Sequence, residues 1–269
     1  MKIFNHNKGR LGNSIFRMLA NIIFLIVYDI NEGEIMYSYK NKKYDIEVTD
    51  DFFVNWSDVI LNGEIPIINK TSTLYFTGYY QHDKIFLYFK PRIIEYINKH
   101  PNLLLLTDRN DKYIANEIIN YKLEKKYKIV VHIRLEDFIQ INQVLDPLSI
   151  TKIVDDIIAE TNNNTICLVV NQVKTQIENN YINFFKRKYD MVVVESNDPI
   201  KDYNIMKNAE ILICSYSTLS WCAAFFSNTI KCVYIPNYKE SIGQSFKKLP
   251  NSKLFDCDFC NVNKLENIF

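Results

Sequence analysis

From about residue 128 the chain alternates short apolar runs with amphipathic stretches, and this alternation constrains the fold more than any other feature. Strands are expected at Lys128–Ile133, Thr165–Val170, Asp190–Glu195, Ile211–Cys214 and Lys231–Ile235, and helices between them at Ser149–Glu160, Ile177–Lys188, Asp202–Asn208 and Leu219–Phe226. Strand and helix in regular succession specify a parallel sheet with helices on both faces. The strand runs are continuous in Val, Ile, Leu and Cys, as burial on both faces requires. Residues 126–269 therefore read as a doubly wound, Rossmann-like nucleotide-binding domain.

The first 125 residues read as a second, less regular α/β domain. It opens with a strand (Met1–Phe4), a loop (Asn5–Asn13) and a long apolar helix (Ser14–Tyr28), the start of a βα unit. An amphipathic helix is expected over Lys84–Lys99, and the charged stretch 121–128 is the expected hinge. The apolar peak Met18–Tyr28 is about half the length of a bilayer span, so a buried helix is expected and no transmembrane segment.

With 32 basic and 31 acidic side chains and no block of like charge, the chain lacks the electrostatic footprint of a nucleic-acid or anionic-membrane binder. Any anionic ligand must be met locally. Cys167, Cys214 and Cys232 lie in apolar runs and suit a reducing, cytoplasmic compartment. Cys257-Asp-Phe-Cys260 has no second pair and no nearby histidine, so neither zinc nor redox chemistry is expected there. Heavy use of Ile, Asn and Lys against only six glycines suggests an AT-rich microbial or viral genome, with the host cytoplasm as the compartment if viral. Three of those scarce glycines sit in two loops, Gly9, Gly12 and Gly78, where positive φ or close backbone approach is expected.

In an open α/β sheet ligands bind beyond the carboxyl ends of the strands. Four segments stand out. VVHIRLEDF (130–138) ends a buried strand in His132, Arg134, Glu136 and Asp137, four polar groups that suit a phosphate held by the arginine fork or an Arg–Asp pair closing the strand. ILICSYSTLSWCAAFF (211–226) places Ser215, Ser217, Thr218 and Ser220 before an apolar helix, an anion site or a plain N-cap. NKGRLGNS (7–14) is a GxxGN turn and not a GxGxxG dinucleotide fingerprint. FTGYYQHDKIF (76–86) gathers Tyr79, Gln81, His82 and Asp83, suited to sugar hydroxyls or to a surface turn.

Taken in order with KCVYIP (231–236), these segments resemble the galactoside α-1,2-fucosyltransferase family, inverting enzymes that use GDP-fucose. The resemblance covers about residues 1–240. It implies a GT-B-like fold of two facing Rossmann-like parallel-sheet halves, residues 1–125 on the acceptor side and 126–269 binding the donor, without a metal or other cofactor. Carried over by position, it implies that Arg134 holds the donor pyrophosphate and Asp202 reads the guanine edge with His132 nearby. Ser217, Thr218 and Ser220 support the phosphates, while Gly12 and Asn13 face the sugar and its leaving oxygen. Arg134, Asp137 and Asn13 are the catalytic candidates, with Glu136, Asp83 and His82 as further possible bases. Tyr79, Gln81, His82 and Asp83 are candidates for a saccharide acceptor.

The chain departs from the family at Leu135 and Glu136, where a second arginine and a glycine are usual, and at Tyr216 and Cys222, where asparagine and tryptophan are usual. These departures keep open a transferase using another nucleotide-sugar and a non-catalytic glycan- or nucleotide-binding relative. A metal-dependent transferase would require an Asp-x-Asp pair, for which Asp256-Cys-Asp258 is the candidate, placed past the last expected strand.

Overall fold

The computed structural model describes residues 1–6, 8–30, 34–37, 43–108, 111–121, 126–237 and 249–269. The chain divides into two compact α/β units, one spanning Met1–Tyr121 and one holding the described residues from 126 onward. Residues 122–125 of the expected hinge lie outside the described residues.

The first unit runs β1 (Lys2–Asn5), α1 (Leu11–Val27), β2 (Glu34–Tyr37), β3 (Ile46–Val48), α2 (Asp50–Leu61), β4 (Thr73–Phe76), α3 (Asp83–Lys99), β5 (Leu104–Leu106), β6 (Lys112–Ile114) and α4 (Ala115–Asn120). Four strands form a parallel sheet in the order β2-β1-β4-β3. The core is aromatic. Phe24 of α1 stacks on Trp56 of α2 at 3.9 Å and meets Phe76 of β4 edge-on at 5.2 Å, while Phe53 meets Tyr80 at 5.1 Å. Helix α1 is buried along most of its length, and among the described residues no helix is long and apolar enough to cross a membrane. It begins at Leu11 rather than Ser14, so Gly12 and Asn13 lie in its first turn and not in a loop. Arg10 is its N-cap and gives no side-chain bond, so no capping residue marked this start in the sequence.

The second unit runs β7 (Ile129–Ile133), α5 (Glu136–Gln140), β8 (Val144–Leu145), α6 (Pro147–Thr161), β9 (Thr165–Asn171), α7 (Gln176–Lys186), β10 (Asp190–Ser196), α8 (Pro199–Lys207), β11 (Ile211–Ile213), α9 (Thr218–Phe226), β12 (Cys232–Asn237), β13 (Ser252–Asp256), β14 (Phe259–Cys260) and α10 (Val262–Ile268). Six parallel strands lie in the order β10-β9-β7-β11-β12-β13. Counted along the sheet-forming strands this is 3-2-1-4-5-6, the order of dinucleotide-type Rossmann sheets. Every residue of β7 is buried. Asp146 and Asp198 cap α6 and α8 with proline at the first helical position, and Thr175 with Glu178 forms a capping box on α7. The sixth strand, β13, corrects the expected end of the sheet: Asp256 is its last residue and lies within the fold, beside Asn237 of β12.

Candidate functional site

The sheet of the second unit reverses its winding between two central strands, β7 and β11. The loops leaving such a pair at its carboxyl end part in opposite directions and open a crevice. The sequence-derived candidates fall at this switch point and, in the first unit, just beyond the adjacent parallel strands β1 and β4.

In the second unit, His132 is buried in β7 and its Nδ1 lies 2.8 Å from the Ser215 hydroxyl beyond β11. Burial, aided by the charge of Arg134, pushes the imidazole down to about 3, so it is neutral at any physiological pH. Arg134 leaves the end of β7 and forks onto Asp137, Nε to Oδ1 at 3.2 Å and Nη2 to Oδ2 at 2.8 Å. Its guanidinium also lies 4.6 Å from the Phe138 ring. Nη1 has no hydrogen-bond partner among the described residues, which leaves two N–H donors beside a depression lined by Ile133, Arg134, Phe138, Gln143, Leu145 and Ser215.

Ser215, in that lining, is followed two residues later by the cap of α9. Ser217 caps it by accepting from the Leu219 N–H at 3.3 Å, and Ser220 donates to the carbonyl oxygens of Ser215 and Ser217. Both hydroxyls are therefore used within the turn, whereas Thr218 keeps its own without a bond among the described residues. No acidic residue occupies the first turn of α9, so the positive end of its dipole is uncompensated. Asp202 is buried on α8 with Oδ1 unpartnered among the described residues, and burial lifts its carboxyl to about 7. His132 is bonded to Ser215 rather than to Asp202.

In the first unit, the GxxGN turn and the TGYYQ loop meet. Gly9 takes φ +88°, and a Cβ there would lie 2.7 Å from Asn13 Nδ2 and 3.2 Å from Tyr79 Cε1. Gly12 shows no positive φ, and Gly78 is needed for close approach, since a Cβ there would lie 2.6 Å from Asp50 Oδ1. The same carboxylate oxygen accepts the N–H groups of Tyr79 and Tyr80 at 2.9 and 2.6 Å. Tyr79 is left 40% exposed and available for stacking. His82 and Asp83 are buried at the start of α3, with His82 Nε2 3.8 Å from Asp58. Gln81 is half-buried beside them.

Leu135 and Cys222 are fully buried and Tyr216 nearly so, with Leu135 and Tyr216 joining the apolar core of the second unit. Glu136 adopts φ +36°, the left-handed region that favours glycine. Among the described residues no three His, Cys, Asp or Glu side chains gather in a group able to hold a metal. Sequence reasoning missed Asp50, Gln143, Asn171 and Glu178. Only Glu178 carried a local signal, the Thr175-x-x-Glu178 capping box.

No protein-family model matches the chain, and no curated protein matches it. Among solved structures, Escherichia coli heptosyltransferase WaaC with ADP matches with TM-score 0.50 at 9% identity, over 98% of this chain and 95% of its own. The fold is GT-B. POFUT1 in complex with GDP aligns with TM-score 0.46 at 12% identity, over 94% of this chain and 98% of its own. A GDP complex of a mutant of Arabidopsis thaliana FUT1 aligns with TM-score 0.41 at 10% identity, over 86% of this chain and 69% of its own.

Proposed function

We propose that the protein is an inverting, metal-independent glycosyltransferase that moves L-fucose from GDP-fucose to a hydroxyl of a saccharide. The observation that carries this reading is the switch point of the 3-2-1-4-5-6 sheet, where Arg134 stands at the end of β7 and the uncompensated N-terminus of α9 follows β11. A departing nucleoside diphosphate needs its developing charge stabilised, and a guanidinium with a helix N-terminus supplies this without a metal ion. The order of the five sequence segments, which resembles that of the α-1,2-fucosyltransferases, supports GDP-fucose as the donor.

In this reading Arg134 and the first turn of α9, with Thr218, hold the diphosphate. Asp202 accepts hydrogen bonds from the guanine edge, which supplies the partners its buried oxygen lacks. Asn13 faces the transferred sugar, and Tyr79 with Gln81 lines the acceptor. Asp137, with both oxygens engaged by Arg134, acts on the orientation of the fork; a loose, oxocarbenium-like departure demands little of the base. Initial rates with GDP-fucose and a panel of small saccharides in EDTA test the assignment. Transfer with inversion is expected; turnover only with another nucleotide-sugar would discard fucose. The bidentate occupation of Arg134 by Asp137 favours a second reading, a GDP-binding protein without turnover, which GDP binding with no transfer to any saccharide would support.

A further inference from the structure

The two backbone N–H groups that follow Arg134 are both captured by side chains from elsewhere in the second unit. Leu135 N donates to Asn171 Oδ1 at the end of β9, at 3.2 Å, and Glu136 N donates to Glu178 Oε1 on α7, at 3.1 Å. Helix α5 has no side-chain cap of its own, so these acceptors satisfy amides that its first turn would otherwise orphan. Glu178 does more. Its Oε2 accepts from Lys174 N and Thr175 N at 2.7 Å each, so one buried carboxylate caps two turns. The Glu136 side chain reaches Lys174 Nζ at 2.7 Å and ties the same two loops from outside.

This clamp encloses Glu136, a non-glycine residue at φ +36°. An L-residue resists that conformation, and it persists only where neighbouring bonds impose it. The next residue, Asp137, holds the Arg134 fork.

Resting on the role given above to Arg134, we infer that Glu178 is a positioning residue: it imposes the left-handed turn at Glu136 and so fixes Asp137 and the Arg134 guanidinium for the donor diphosphate. Glycine at 136 takes the same turn without a clamp, which separates this role from plain capping of α7. The test uses the full chain with E178Q, E136G, the double variant and N171A, with GDP affinity read by calorimetry and backbone exchange at residues 135–138 by hydrogen–deuterium exchange. E178Q is expected to weaken GDP binding about tenfold, and E136G added to it to restore most of that loss while the melting temperature stays low. Should E178Q fail to fold, N171A, which leaves the α7 cap intact, is expected to speed exchange at Leu135 and weaken GDP binding. A lowered melting temperature with GDP affinity within twofold of wild type, or no recovery in the double variant, overturns the inference. If the wild-type protein binds no GDP, the proposed donor falls instead, and unchanged exchange at 135–136 in E178Q then overturns the clamp itself.

Discussion

Replacing Arg134 by alanine separates a strand-closing ion pair from a diphosphate clamp. The variant loses two charge-assisted hydrogen bonds to Asp137, at 3.2 and 2.8 Å, in a pair whose side chains are 20% and 37% exposed. At that exposure the net contribution is about 1 kcal/mol, because solvent screens the attraction. Loss of the guanidinium over Phe138 adds about 0.5–1 kcal/mol. A chain of this size loses roughly 2–4 °C per kcal/mol, so the melting temperature should fall by roughly 3–8 °C. If Arg134 stabilises departing diphosphate, the transfer rate falls by at least ~10²-fold, equivalent to about 2.7 kcal/mol. R134K keeps the charge but not the planar fork, and an intermediate loss of about tenfold is expected. Melting curves, GDP calorimetry and initial rates decide. The stability loss with GDP affinity and rate both within about threefold of wild type would refute a role at the phosphates.

Three further outcomes follow from the geometry. Asp202 holds its proton up to about pH 7 when folded, against an ordinary 3.8, so it makes stability fall as pH rises between about 4 and 7; D202N should flatten that slope in melting curves, and an unchanged slope counts against it. S215A leaves the buried, neutral His132 without its 2.8 Å partner and should cost about 1–3 kcal/mol in urea denaturation, with a cost near zero showing that the bond is idle. G9A places a methyl group at φ +88° against Asn13 and Tyr79 and should lower stability by about 1–2 kcal/mol while raising the acceptor KM; an unchanged KM removes Tyr79 from the acceptor side.

The central strands were legible because β7, β9 and β11 are largely buried runs whose burial is written in consecutive apolar residues. Strand β13 was not: as a sheet edge it exposes Lys253 and Leu254 and carries no such run. Helices α6 and α8 begin two and three residues before the expected starts, at the caps Asp146-Pro147 and Asp198-Pro199, because a cap and its proline add nothing to the apolar periodicity of the helix. Within the site, Arg134 and the hydroxyls before α9 were visible as polar residues at strand ends. Their partners were not. Asn171 and Glu178 reach Leu135 and Glu136 across 36 and 42 residues, and Ser215 reaches His132 across 83, separations that only the order of strands in the sheet brings together. The departure at Glu136 was legible as a missing glycine, while the side chains that hold it at positive φ were not.

Thermal melting of the full chain in EDTA with millimolar GDP, UDP, CMP, ADP and NAD tests the central claim most directly. A ligand at 100 times its Kd stabilises by about 2.7 kcal/mol, which is readily seen in the melting temperature. A shift with GDP, absent in R134A and absent with the other nucleotides, is the predicted result. A shift with a different nucleotide alone, or none with any, would contradict a GDP-sugar site at the β7–β11 switch point.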